Sequence, residues 1–105
     1  MTEAQRRRTP RVQKVAEIDI ASRGHAFTGR ITDISESGVF VDTPYPLSVG
    51  ADVSLTVVLD RDSGKPIMGK GQVRWIQDMV GMSIEFTDVS DEARATIRRV
   101  IQPDS

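Results

Sequence analysis

The stretch "AEIDIA", residues 16–21, sets Ile18 and Ile20 two positions apart with Glu17 and Asp19 beside them. A period of two is the signature of a strand with one buried face. Five further stretches read as strands. "AFTGRITDI" carries Phe27, Ile31 and Ile34, and "GVFVDT" follows it. "DVSLTVVL" alternates Val53, Leu55 and Val57, and "IMGKGQVRWI" and "VGMSIEF" complete the set. "DRDSGKP", residues 60–66, is rich in turn formers and joins the fourth strand to the fifth. The period then changes. In "SDEARATIRRVI" the apolar positions Ala93, Ile97, Val100 and Ile101 recur at helical spacing. Ser90 is an N-cap candidate, Asp91 and Glu92 suit the first turn, and Arg98 and Arg99 suit the last. Pro103 stops the helix.

Six short strands and one terminal helix in 105 residues predict a single, mainly β domain. Closely spaced antiparallel strands at this length predict a small barrel, because closure removes exposed sheet edges. The helix is expected to cover one side or end. Residues 1–11 lack apolar periodicity and read as a flexible arm, with Pro10 holding Thr9 extended. Residues 12–105 are assigned to the barrel and its helix. There is no internal repeat.

Composition narrows the classes. A hydrophobic content of 38% and a charged content of 28% are ordinary for a globular protein. No apolar run reaches the roughly 18 residues of a membrane span. "MTEAQRRRTP" lacks the apolar core of a secretory signal, and cysteine is absent. A cytoplasmic location is therefore expected. No metal-ligand cluster and no catalytic constellation appear, so no enzyme and no metal are expected. Asp60 and Asp62 read as solvated loop charge. Ser35 lacks the strand-to-helix context of a nucleophile.

Charge is unevenly placed. "RRRTPR", residues 6–11, packs Arg6, Arg7, Arg8 and Arg11 into six positions. Residues 1–14 hold five basic side chains and one acidic, a charge of +4; the remaining residues hold nine and fourteen, a charge of −5. Duplex DNA calls for a basic face spread over the domain, so DNA binding is not expected. A basic arm on an acidic body suits a small anion, or a partner held close to the body. "DISESG", residues 33–38, lies between two strands and is built of turn formers. Alone it is a tight connection, in which Gly38 supplies a positive φ or a close backbone approach.

Taken together, Arg7-x-x-x-Arg11 and Asp33-x-Ser35-x-x-Gly38 resemble the two signatures of the PilZ domain. "GQVRWI" followed by "VGMSIEF" is similar to its closing strands, and the resemblance spans about residues 6–101. One departure is that Gly81 is followed by Met82 and Ser83, where the family often has Gly-x-Gly. The resemblance implies a six-stranded antiparallel PilZ-type β-barrel with a C-terminal α-helix and a basic N-terminal arm. It also implies binding of cyclic di-GMP, a bacterial second messenger with two phosphates and two guanines, and no other cofactor. The chemistry agrees. A guanidinium fork matches phosphate oxygens and the O6 and N7 edge of guanine, and can stack on a base. Asp33 can accept from guanine N–H groups, Ser35 can donate or accept, and Gly38 lets a purine approach the backbone.

The implied ligand residues are Arg6, Arg7, Arg11, Asp33, Ser35 and Gly38. Arg6 occupies the position that the family links to ligand number, so two molecules per chain are expected. Arg8 is either ligand periphery or solubilising charge. Trp75 is read as core or barrel-wall packing, with the ligand periphery as the alternative. His25 is read as a surface residue. The implied function is a receptor that converts second-messenger binding into a conformational change read by an unidentified partner protein, in motility, pilus or biofilm control. The alternative is a PilZ-like adaptor that binds only protein. A third class, single-stranded nucleic-acid binding, is disfavoured by an aromatic content of 5%, because stacking platforms need exposed aromatics.

Overall fold

The computed structural model describes residues 11–59 and 64–101, with side chains from residue 16 onward. The expected strands are all present: β1 (Arg11–Ser22), β2 (His25–Ser35), β3 (Gly38–Asp42), β4 (Asp52–Val57), β5 (Ile67–Gln77) and β6 (Gly81–Val89). Helix α1 (Asp91–Ile101) follows. Neighbouring strands are antiparallel and close a barrel in the order β1–β2–β3–β6–β5–β4. The seam is β1 against β4, where Ile18–Ala21 pair with Ser54–Val57. Closure leaves no strand edge open along this stretch, which removes a template for pairing with other chains.

Alternation decides what fills the barrel. Ile34, Val39, Ile84 and Val73 form one inward row across β2, β3, β6 and β5. Ile31, Val41 and Met82 form the next, and all seven are buried. Burial of each such side chain contributes about 1.5–3 kcal/mol. Ile31 and Ile34 are three residues apart, so uninterrupted alternation would send them to opposite faces. A bulge solves this: Ile31 pairs with Val41 but Asp33 pairs with Phe40, which leaves Thr32 as an extra residue on β2.

Two local choices shape the ends. Ser22 pairs with His25, and the intervening Arg23 and Gly24 have φ of 52° and 84°. Positive φ at both central residues is the type I′ hairpin geometry, whose twist matches the strands. At the other end of the chain Ser90 caps α1: the Ala93 amide donates to Ser90 Oγ at 3.0 Å. The helix buries Ala93, Ile97 and Ile101. Ile97 shares the apolar interior with Ile34, Val39 and Leu55, so α1 plugs one mouth of the barrel.

β1 is longer than "AEIDIA" and begins at Arg11. Its first residues pair with the end of β2: Arg11 with Ser35, Val12 with Ile34 and Gln13 with Asp33. A bulge between Gln13 and Ala16 resets the register below them.

Candidate functional site

The pairing of β1 with β2 brings Arg11, the last residue of the arginine motif, to the second motif. Arg11 and Asp33–Ser35 are 22 or more positions apart in sequence but share one end of one hairpin. The backbone of Arg11 lies opposite Ser35. Arg6, Arg7 and Arg8 lie outside the described residues, as does most of the expected arm.

Asp33 follows the Thr32 bulge, on the face opposite the buried Ile34, and is half-buried itself. Its register row runs across the outside of the barrel through Phe40, Ser83 and Trp75. The Phe40 and Trp75 rings sit 6.1 Å apart between centroids and are tilted by 47°. A second bulge places Trp75 there: Val73 pairs with Ile84 but Trp75 pairs with Ser83, so Arg74 is extra and alternation slips by one. Trp75 is therefore not core. It lies on the outer barrel wall, 53% exposed, because the bulge turns it away from the interior. Ser83, the departure from the Gly-x-Gly pattern, stands half-buried between the two aromatic strands.

Ser35 is 1% exposed and builds its own turn. Its Oγ accepts from the Ser37 amide at 3.2 Å and lies 3.0 Å from Ser37 Oγ. The Ser37 carbonyl then accepts from the Phe86 amide at 2.8 Å, which ties the turn to β6. Gly38 does not have a positive φ. The reason for glycine is the other one considered, close approach. A Cβ at Gly38 would fall on the Ile84 carbonyl oxygen of β6. Gly81 is similar: a Cβ there would meet the Val41 carbonyl and the Phe40 ring.

Glu36, in the middle of the turn, reaches helix α1, where Arg98 Nε donates to Glu36 Oε1 at 3.0 Å. The motif turn is thus linked to β6 by its backbone and to α1 by a side chain. Sequence reasoning missed this ion pair, because nothing local connects residues 62 positions apart. It also missed Phe40. Alternation in "GVFVD" contains that signal, since Val39 and Val41 facing inward place Phe40 outward.

His25 is exposed, as expected of a surface residue. It borders an open groove of about 660 Å³ beside Arg23, Asp52 and Lys70, and none of the described motif residues lines that groove. Among the described residues no group of three or more His, Asp or Glu side chains could hold a metal, and no helix is long and apolar enough to cross a membrane.

Comparison with known proteins is consistent with this geometry. The sequence matches the PilZ domain family over residues 5–102. No protein of curated function matches the chain. Among solved structures, the Bacillus subtilis inhibitor of motility (MotI/DgrA) is similar with a TM-score of 0.82 at 20% identity. That match covers 94% of this chain and 50% of the other, so the chain spans half the length of the Bacillus protein. The PilZ domain of YcgR from Escherichia coli, solved with cyclic di-GMP, has a TM-score of 0.76 at 18% identity, covering 94% and 91% of the two chains. The PilZ domain of CeSA from a cellulose-synthesizing bacterium has a TM-score of 0.68 at 21% identity, covering 89% and 95%.

Proposed function

From the premise that the chain belongs to the PilZ domain family, we propose that it is a cyclic di-GMP receptor that passes ligand binding to a partner protein. The observation that supports this reading is the pairing of Arg11 with Ser35 and of Gln13 with Asp33, which sets the backbone of Arg11 beside the Asp33–Ser35 segment at one end of the β1–β2 hairpin. In this reading Arg7 and Arg11 hold phosphate and the Hoogsteen edge of guanine as forked donors. The Asp33 carboxylate accepts from guanine N–H groups. Trp75 and Phe40 offer a face on which a base can stack, in the row that Asp33 begins. Arg6 grips a second nucleotide stacked on the first, with Arg8 at the periphery, giving two ligands per chain.

The response follows from how the turn is held. Ser35 and Gly38 sit in a turn hydrogen-bonded to β6 and ion-paired to α1. A ligand that draws Ser35 Oγ away from Ser37 shifts this turn, and the shift reaches the helix through Glu36. Motility is one setting in keeping with the similarity to the Bacillus motility inhibitor; pilus and biofilm control are the others. The site is expected to work in the cytoplasm and to catalyse nothing.

A second reading, an adaptor that binds only protein, is favoured by one observation: Ser35 is buried and its hydroxyl is already engaged. Isothermal titration with cyclic di-GMP separates the two. Saturable binding at two per chain is expected, with Arg7→Ala and Arg11→Ala each losing at least tenfold in affinity. A charge-assisted hydrogen bond is worth about 1.5–3 kcal/mol. Wild-type affinity in both variants would overturn the assignment of the arginines. No binding by the wild type would leave the adaptor reading.

A further inference from the structure

Tyr45 is 82% exposed and Met79 is 78% exposed. Folded monomers rarely leave such side chains in the open in a contiguous group, and groups of this kind mark interaction sites. These two belong to one patch. The Thr43 amide donates to the Val80 carbonyl at 2.9 Å, and the Tyr45 amide donates to Thr43 Oγ1 at 3.2 Å. The segment after β3 is thereby fastened to the β5–β6 turn. Val80, 41% exposed, precedes Gly81, and the bare backbone of Gly81 lies under the Phe40 ring, which contacts Trp75. Neighbouring segments therefore carry exposed apolar side chains from Tyr45 and Met79 through Val80 toward Phe40 and Trp75.

Both outermost residues are held outward by backbone chemistry. Tyr45 stands between Pro44 and Pro46. Proline fixes its own φ and restricts the residue before it, so the backbone that carries the ring has little conformational freedom left to lose on binding. Met79 has φ of 63° in a turn closed by the Val80 amide on the Gln77 carbonyl at 3.0 Å. That conformation favours glycine and is strained for a residue with a side chain. A strained, solvent-facing methionine contributes nothing to the core. It does suit contact with another molecule, since methionine adapts to varied apolar partners.

The charge beside the strip is net negative. In the outer row Glu17–Arg30–Asp42–Gly81–Gln77, Arg30 stands between two acids, and Asp78 follows Gln77 in sequence. One cation against three anions leaves a charge of −2. We infer that the Tyr45–Met79–Val80 strip is the docking surface for a partner protein whose face sets apolar side chains beside lysine or arginine. This rests on the receptor reading above only for the existence of a partner. The strip adjoins the Phe40–Trp75 face, so a base stacked there would lie against the bound partner.

The test starts in cells that produce the chain. A photo-crosslinking amino acid is placed at position 45, at 79 or, as control, at Met68, which is 64% exposed but lies beside α1. Positions 45 and 79 are expected to capture the same second protein, and position 68 is not. That protein, made pure, is titrated against the full chain with and without cyclic di-GMP. Tyr45→Ser, Met79→Gly and the pair Asp42→Lys, Asp78→Lys are each expected to weaken it at least tenfold. Met79→Gly is expected to keep or raise the unfolding midpoint, which a merely structural role for Met79 would not allow. Capture of a second copy of this chain alone, absence of any adduct at 45 and 79, or unchanged affinity in the variants would each overturn the inference. Partner binding that persists without any response to cyclic di-GMP would instead remove the coupling of ligand to partner and leave the docking surface standing.

Discussion

Gly38, a motif residue, has a role in the fold itself. Its missing side chain lets the β2–β3 turn press against the Ile84 carbonyl. Gly38→Val is expected to lose about 1–3 kcal/mol, the usual cost of forcing atoms into a packed space, with a fall in denaturation midpoint measured by urea titration. The same holds for Ser35. Its Oγ, on a buried residue, takes the Ser37 amide, so Ser35→Ala should cost about 1 kcal/mol in stability as well as weaken nucleotide binding. Asp33→Ala is expected to separate the two effects. It should weaken the nucleotide at least tenfold in a calorimetric titration while changing the unfolding midpoint less than Gly38→Val does, because alanine forces no added atoms into a packed space.

At the scale of elements, helix α1 couples the barrel mouth to the motif turn. Its two anchors differ in strength. Ile97 is 2% exposed inside the mouth, and Ile97→Ala should cost about 2–5 kcal/mol by leaving a cavity. The Arg98–Glu36 pair is largely solvated, with the Arg98 side chain 58% exposed. Exposed pairs contribute only about 0.2–1 kcal/mol. Glu36→Ala should therefore barely change stability and leave nucleotide affinity near that of the wild type. It should, however, uncouple the helix from the turn, so that amide exchange in residues 91–101 no longer responds to ligand. An equal response in wild type and variant would show that the signal travels elsewhere. Ser90→Ala tests the helix start, with a loss of about 1 kcal/mol expected from the missing cap.

For the whole molecule, the sign of the charge matters more than its sum. Residues 1–14 carry +4 and the rest −5, so the net of −1 hides a dipolar chain. In the proposed receptor, contacts between the arginines and the two ligand phosphates would be ionic, and salt shortens the screening length from about 10 Å at 0.1 M to about 3 Å at 1 M. Nucleotide affinity is expected to fall steadily across that range in a fluorescence or calorimetric titration. An affinity indifferent to salt would mean that stacking on the aromatic face, not the arginine cluster, holds the ligand. Closure of the barrel has its own consequence. Every strand depends on two neighbours, so unfolding should be a single transition seen alike by tryptophan fluorescence and by far-ultraviolet circular dichroism.

Much of this was legible in one dimension. Alternation at Ile18 and Ile20, or at Val53, Leu55 and Val57, needs only the period of a strand, and the helix announces itself by its change of period and its cap. The motif residues were legible too, as residue types at fixed spacings. What the linear order does not contain is register. The Thr32 and Arg74 bulges each insert one residue, and one residue is enough to turn a side chain from one face of a sheet to the other. Those two insertions bring Ile34 into the core, carry Asp33 to the outer wall and turn Trp75 out beside Phe40. Pairing of strands distant in sequence did the rest: Arg11 lies opposite Ser35, Glu36 meets Arg98, and Thr43 joins Tyr45 to Val80. Local propensity sets each strand by itself, whereas closing the barrel selects one register for all six together, and only that shared register decides which residues become neighbours.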